Sequence, residues 1–265
     1  MDNRPIGIFD SGLGGLTALR ALRKLLPEED ILYFADTGRV LYGGRSREQI
    51  RRMAVQDLDF MADRGVKAIL VACGTISSNA PDLLESYGIP AFGVLKPGVA
   101  AMAGTPGEEP LGVIATEASI RSGAFERALQ AACPGREILA VPCPSFVPLI
   151  ESGHTEADDP LLRWAVENCL APLKERGAAA LLLGCTHYGI IAPAIRDYLG
   201  EVALFGAADC GAAALRDYLV SRELTGGQGR ERYFTSGSGE DFARKAALFL
   251  GREIDSIEEV PVMEV

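Results

Sequence analysis

Histidine and tryptophan are scarce in this 265-residue chain, with two of the first and one of the second. Six cysteines are present but none forms a Cys-x-x-Cys pair, so a zinc site of thiolates and imidazoles is not expected. Lys and Arg form no run, and 26 of them face 36 Asp and Glu for a formal net charge of −10. Such an acidic chain repels phosphate backbones and anionic bilayers, which excludes nucleic acid and membrane as expected partners. No apolar run approaches the ~18 residues of a membrane span. The opening Met-Asp-Asn-Arg-Pro lacks the apolar core of a secretory signal. The expected compartment is cytoplasmic and reducing, with free thiols. Cysteines 73, 133, 143, 169, 185 and 210 therefore need another explanation.

What is present is apolar residues (48%) in short segments, with thirty glycines and fifteen prolines marking turns. Residues 5–10 read as a buried strand, followed by the turn Ser11-Gly12-Leu13-Gly14-Gly15. A helix follows, with Leu16, Leu19, Leu22 and Leu26 at three- and four-residue spacings until Pro27 stops it. Ile31–Ala35 is the next strand. Residues 46–64 are the next helix, with Ser46 as N-cap and Gly65 just past the end. Val66–Cys73 is a near-continuous apolar run, as a strand buried on both faces requires. The alternation predicts an α/β fold with mostly parallel strands.

The order of segments occurs twice. Ile6-Gly7-Ile8-Phe9 resembles Leu111-Gly112-Val113-Ile114, 105 residues on. Asp30-Ile31-Leu32 resembles Glu137-Ile138-Leu139 at an offset of 107, and Ala68–Cys73 resembles Ala180–Cys185 at an offset of 112. Three matches in order predict two similar parallel-sheet α/β halves. Open parallel sheets bind ligands beyond the carboxyl ends of their strands, and each half ends such a strand in a cysteine, Cys73 or Cys185. If the halves face each other about a pseudo-twofold, the two thiols converge on one interdomain cleft.

An isolated cysteine is ordinarily packing, and Cys133, Cys143, Cys169 and Cys210 are assigned to it. Cys73 and Cys185 differ because each precedes a turn and a threonine, Thr75 or Thr186, able to donate a hydrogen bond. A helix N-terminus after each cysteine would lower the thiol pKa from ~8.5. Two facing thiols suit proton removal from one face of a carbon and delivery to the other; a redox pair is the alternative. Asp10 is either the N-cap of the next helix or a carboxylate at the cleft. The Gly-x-Gly-Gly turn lacks the dinucleotide spacing, so a nicotinamide cofactor is not expected, although its amides suit a substrate carboxylate. His187, two residues after Cys185, is a candidate acid/base partner for it. Glu151 is a strand-end carboxylate or the start of a loop, and His154 lies in a polar loop.

At these residues the chain resembles the glutamate racemase family, within the wider aspartate/glutamate racemase superfamily. The resemblance rests on Asp10-Ser11-Gly12-Leu13-Gly14-Gly15-Leu16-Thr17, Tyr33–Thr37, Tyr42-Gly43, Ala72-Cys73-Gly74-Thr75, Gly112–Thr116, Ser122-Gly123, Phe146–Gly153 and Gly184-Cys185-Thr186-His187-Tyr188. It implies a metal-free, cofactor-independent racemase that interconverts L- and D-glutamate and supplies D-glutamate for peptidoglycan. Cys73 and Cys185 would be its two acid/base thiols, with Asp10 assisting the first and His187 and Glu151 the second. Asp10, Ser11, Tyr42, Gly43, Gly74, Thr75, Thr116, Ser119 and Thr186 fall at substrate-contact positions. The implied domains are 1–96 plus 208–265, and 97–207. The implied partner is a small acidic amino acid, and homodimers are common in the family.

Two departures bear on specificity. The family's Cys-Asn-Thr is Cys73-Gly74-Thr75 here, and its Pro-Tyr-Gly-Pro is Leu41-Tyr42-Gly43-Gly44. Gly189 also replaces the usual proline. These leave two other readings: a related racemase with an altered substrate, and a non-catalytic protein binding acidic amino acids.

Overall fold

Residues 5–10 fold largely as their apolar content dictates, into strand β1 (Ile6–Asp10), buried at every position. The structure is a computed structural model and describes residues 1–39 and 42–261; the Leu41 departure lies outside the described residues. The strands that follow are β2 (Ile31–Ala35), β3 (Ala68–Val71), β4 (Ala91–Gly93), β5 (Leu111–Ala115), β6 (Ile138–Pro142), β7 (Ala180–Leu183), β8 (Ala203–Gly206), β9 (Glu231–Thr235) and β10 (Glu258–Glu259). They form two sheets, in the orders β10-β9-β2-β1-β3-β4 and β6-β5-β7-β8. Every pairing is parallel.

The internal repeat is visible in the topology. The order β2-β1-β3-β4 recurs as β6-β5-β7-β8, and the register recurs with it. Ile6 pairs with Ile31 and Ala68, while Leu111 pairs with Ile138 and Ala180. These are the residues related by the three sequence offsets. β1, β2, β3, β5 and β7 are buried along their whole length, which explains why they read as unbroken apolar runs.

Helices cover the sheets. The helix Leu16–Leu25 buries Leu16, Leu19 and Leu22, each such side chain contributing roughly 1.5–3 kcal/mol of hydrophobic transfer. The helix Arg47–Ala62 starts with the expected Ser46 cap, closed into a capping box by Gln49, and Gly65 after it takes φ +66°. The helix Ala207–Ser221 packs against Leu16–Leu25 and against Leu95–Ala103, and Cys210 lies half-buried in it. An apolar core runs from one sheet to the other through Val94, Leu95, Val99 and Met102. Among the described residues no helix is long and apolar enough to cross a membrane.

One strand is shorter than its apolar run. Residues 66–73 suggest eight residues, but β3 spans Ala68–Val71. Ala72 still donates to the Phe9 carbonyl at 2.9 Å, after which Cys73 leaves the ladder and caps the helix Gly74–Asn79. This departure from the sheet turns Cys73 toward the region beyond the strand ends.

Candidate active site

β1, an interior strand, delivers Asp10 to the carboxyl end of the first sheet, where the glycine turn folds over it. The Asp10 carboxylate is 2% exposed. It accepts hydrogen bonds from the Ser11 amide at 2.7 Å, from the Ser11 hydroxyl at 3.2 Å and from the Gly15 amide. Thr186 donates to it from the other sheet at 3.3 Å. Asp10 is thus both a turn-closing group and a cleft carboxylate. The Ser11 and Gly15 amides, expected to be open to a substrate carboxylate, are occupied by Asp10 itself. Burial raises the Asp10 pKa, opposed by His187 and by its hydrogen bonds. At Gly14 a Cβ would lie 2.3 Å from His187 Nδ1, so only glycine lets this turn approach the second sheet so closely.

Cys73 is 3% exposed, with the Ser11 hydroxyl 3.5 Å from its Sγ. The expected lowering of its pKa is overturned. Burial pushes the thiol up, the Asp10 charge adds to this, and hydrogen bonds from Ser11 and the backbone oppose it only weakly. The helix after it is six residues long, too short for a strong dipole to compensate. After Cys185 there is no α-helix but a 3-10 turn, Thr186–Gly189.

Cys185 leaves β7 as Cys73 leaves β3, and its Sγ lies 3.7 Å from His187 Nδ1. The opposite ring nitrogen, Nε2, is 3.0 Å from Glu151 Oε1. Glu151 is neither a strand end nor a loop start. It is the last residue of the helix Phe146–Glu151, because the apolar run there is wound rather than extended. Burial lowers the His187 pKa, but its bonds to Cys185 and Glu151 and the Asp10 charge outweigh this and hold it at about 10. Burial correspondingly raises Glu151, and His187 more than reverses the effect, leaving its pKa lowered. The ring of Phe249 meets His187 edge-on, 5.3 Å between centroids.

The two halves interlock at Thr186. Its carbonyl accepts from Thr17 Oγ1 at 3.0 Å, and Thr17 also donates to the Gly14 carbonyl at 2.8 Å. On the far side of the cleft, Thr75 and Thr116 join hydroxyl to hydroxyl at 3.0 Å. Between these contacts lies a cavity of about 210 Å³ bordered by Cys73 and Cys185 together. Asp10, Ser11, Tyr42, Gly43, Gly74, Thr75, Thr116, Glu151, Thr186 and His187 also border it. The volume is below the ~300–1,000 Å³ of drug-sized sites and suits a small molecule.

Two expected contacts are placed differently. Ser119 is 1% exposed, is absent from the cavity wall and bonds to Thr116 Oγ1 at 2.9 Å, so it supports Thr116 from behind. Tyr42 borders the cavity, but its hydroxyl is taken by Asp36 and by Asp57 at 3.2 Å, inside a buried cluster completed by Arg39. Cys143, assigned to packing, lies on the wall with Pro144, Val147 and Pro148. The repeat held the signal for it: the offset of 107 that relates β2 to β6 places Cys143 opposite Asp36, just beyond a strand end. Cys133 is buried and Cys169 half-buried in the helix Pro160–Glu175, away from the wall. His154 bonds to Asp159, the cap of that helix, at 2.8 Å.

Comparison with known proteins gives one consistent picture. The profile of the family described as Asp/Glu/Hydantoin racemase matches residues 18–215. The chain is 38% identical to a glutamate racemase of Thermoanaerobacter pseudethanolicus, over 99% of both chains. It is 41% identical to one of Thermus thermophilus, over 98% of both. Its fold superposes on a glutamate racemase of Francisella tularensis, solved in complex with D-glutamate, with a TM-score of 0.91, 34% identity and 99% of each chain covered.

Proposed function

Because the chain belongs to the glutamate racemase family, we propose that it interconverts L- and D-glutamate without a cofactor, by proton transfer at Cα between two thiols. The observation that carries the assignment of residues is the cavity wall. Cys73 and Cys185, leaving topologically equivalent strands of different sheets, border one space large enough for a small amino acid.

In each direction one sulfur enters as thiolate and takes the Cα proton, while the other enters as thiol and gives its proton to the opposite face. The reverse direction exchanges the roles. The Cα–H of an amino acid is a weak acid, so the transient negative charge needs donors already in place. The hydroxyls of Ser11, Thr75, Thr116 and Thr186 surround the cavity for this purpose. Asp10 beside Cys73 favours the neutral thiol there, and the His187 imidazolium supplies positive charge beside Cys185. Glu151 holds that imidazolium in place. The opposite charges of the two assistants suit a reaction that needs one thiol and one thiolate at once.

In this reading the domain 1–96 plus 208–265 carries Asp10 and Cys73, and the domain 97–207 carries Cys185, His187 and Glu151. With its D-glutamate product going to peptidoglycan, the expected compartment is the cytoplasm.

The test is racemisation of L-glutamate in D₂O. Deuterium is expected at Cα of the inverted product, and Cys73→Ser and Cys185→Ser each abolish inversion. Full turnover by either variant overturns the two-thiol assignment. Glutamate binding without Cα exchange would mark a non-catalytic binder, and exchange confined to another amino acid would mark an altered substrate.

A further inference from the structure

Glu151 stands in a wall between two cavities. A second cavity of about 210 Å³ lies behind it, and among the described residues only Glu151 and Gly12 border both. The second cavity belongs to the C-terminal helix Gly239–Leu250, which contributes Asp241, Phe242 and Lys245, with Ser238 as the helix cap. This helix comes from the sequence that joins the first sheet, whereas Glu151 and His187 come from the second half.

Lys245 and Phe249 are four residues apart and therefore share one face of that helix. Phe249 is fully buried and sets its ring perpendicular to that of His187. Lys245, one turn earlier, borders the second cavity beside Glu151, and its positive charge favours the Glu151 carboxylate. Lys245 is half-buried and makes no ion pair within 4 Å among the described residues. The neighbouring Asp241 is paired with Arg244. One helical face thus meets both members of the Glu151–His187 pair from outside the substrate cavity.

We propose that Lys245 is a positioning residue for the Cys185 half of the reaction, acting through the Glu151–His187 pair from the second cavity, with Phe249 fixing the imidazole. The proposal rests on the two-thiol reading above. The charged and titratable groups meeting the pair are Cys185 beside His187, Asp10 from β1, and Lys245 and Asp241 from the C-terminal helix. Of these, Lys245 is the cation that borders the second cavity together with Glu151. Removing its charge raises the pKa of the Glu151 carboxyl, so the carboxylate is lost at a higher pH and activity falls earlier on acidification.

The experiment compares wild type, Lys245→Met and Lys245→Arg for the pH dependence of kcat/KM in glutamate racemisation at low ionic strength. Lys245→Met is expected to move the acid limb upward by roughly half a pH unit, the scale of a partly exposed charge pair. Lys245→Arg is expected to keep the wild-type profile, because it keeps the charge. Raising ionic strength is expected to move the wild-type limb the same way through screening, a measurement that does not depend on any variant folding. A Lys245→Met profile superimposable on wild type, a salt-independent wild-type limb, or equal losses in the Met and Arg variants would each overturn the proposal. If instead Cys185→Ser retains full turnover, the two-thiol reading itself fails, whatever Lys245 does.

Discussion

Thr75 and Thr116 meet hydroxyl to hydroxyl at 3.0 Å, the first from the helix Gly74–Asn79 that follows β3 and the second from the cap of the helix that follows β5. Their bond closes one side of the cavity between the two sheets, as the Thr186–Asp10 bond closes another. The partners do unequal work, because Thr116 also caps the helix Glu117–Arg121 and bonds to Ser119.

Replacing either threonine by valine is therefore expected to have distinct outcomes. Thr75→Val removes one hydroxyl pair and is expected to cost ~0.5–1.5 kcal/mol. Thr116→Val removes the same pair and the cap, and is expected to cost ~1–3 kcal/mol. Urea unfolding of the two single variants and the double variant gives the coupling between them. A coupling of zero would mean that the hydroxyls do not bond in solution. KM for glutamate is expected to rise in both, since each hydroxyl borders the cavity.

His187 supplies the clearest dependence on pH. Its pKa is raised from 6.5 in an unfolded chain to about 10 in the fold. A raised value means that the folded state binds the proton more tightly. The stabilisation is then fully present below pH 6.5 and is lost as pH rises through about 10. Glu151 is shifted the other way, so its contribution is present above its unfolded pKa and lost as pH falls through its lower folded value. Glu151→Gln removes the anion facing Nε2, and the His187 pKa is expected to drop. NMR titration of the ring nitrogens in wild type and variant checks this; identical curves would refute the pairing. Because Glu151 acts through His187, turnover is expected to fall about 10²-fold, the low end of general acid–base contributions.

The strands and the two thiols were legible in the sequence because burial on both faces leaves an unbroken apolar run, and a duplication repeats it. Ile6, Leu111 and their partners announce both sheets before any coordinate is known. The loops were less legible. Glu151 read as a strand end or loop because a run of six apolar and charged residues carries too few turns to reveal a helical period. Tyr42 borders the cavity, but the partners of its hydroxyl were not legible, because it is drawn into the Asp36–Arg39–Asp57 cluster, whose members are scattered over twenty-two residues of sequence. Lys245 and Phe249 carried no signal, since their partners lie roughly 60 to 100 residues away and in the other half of the molecule. Local pattern reports which face is buried; it does not report what the face meets.

Gly74 is the departure from the family motif whose physical reason is visible. A Cβ at this position would lie 2.0 Å from the carbonyl oxygen of Gly184, the residue before Cys185. The obstacle is backbone, so no side-chain rotation relieves it. Because residue 74 belongs to the first half and residue 184 to the second, the easiest relief is to part the two walls of the cleft. Gly74→Ala is thus expected to move Cys73 and Cys185 apart rather than to unfold the protein. A displacement near 1 Å at a reacting centre costs ~10²-fold in rate. The expected result is kcat for glutamate down by at least about tenfold, with a melting temperature lowered by only a few degrees, consistent with an overpacking cost of ~1–3 kcal/mol. The measurements are steady-state racemisation in both directions and a thermal melt. Wild-type kcat in the alanine variant would show that the cleft is wider in solution and that Gly74 is not required for its closure.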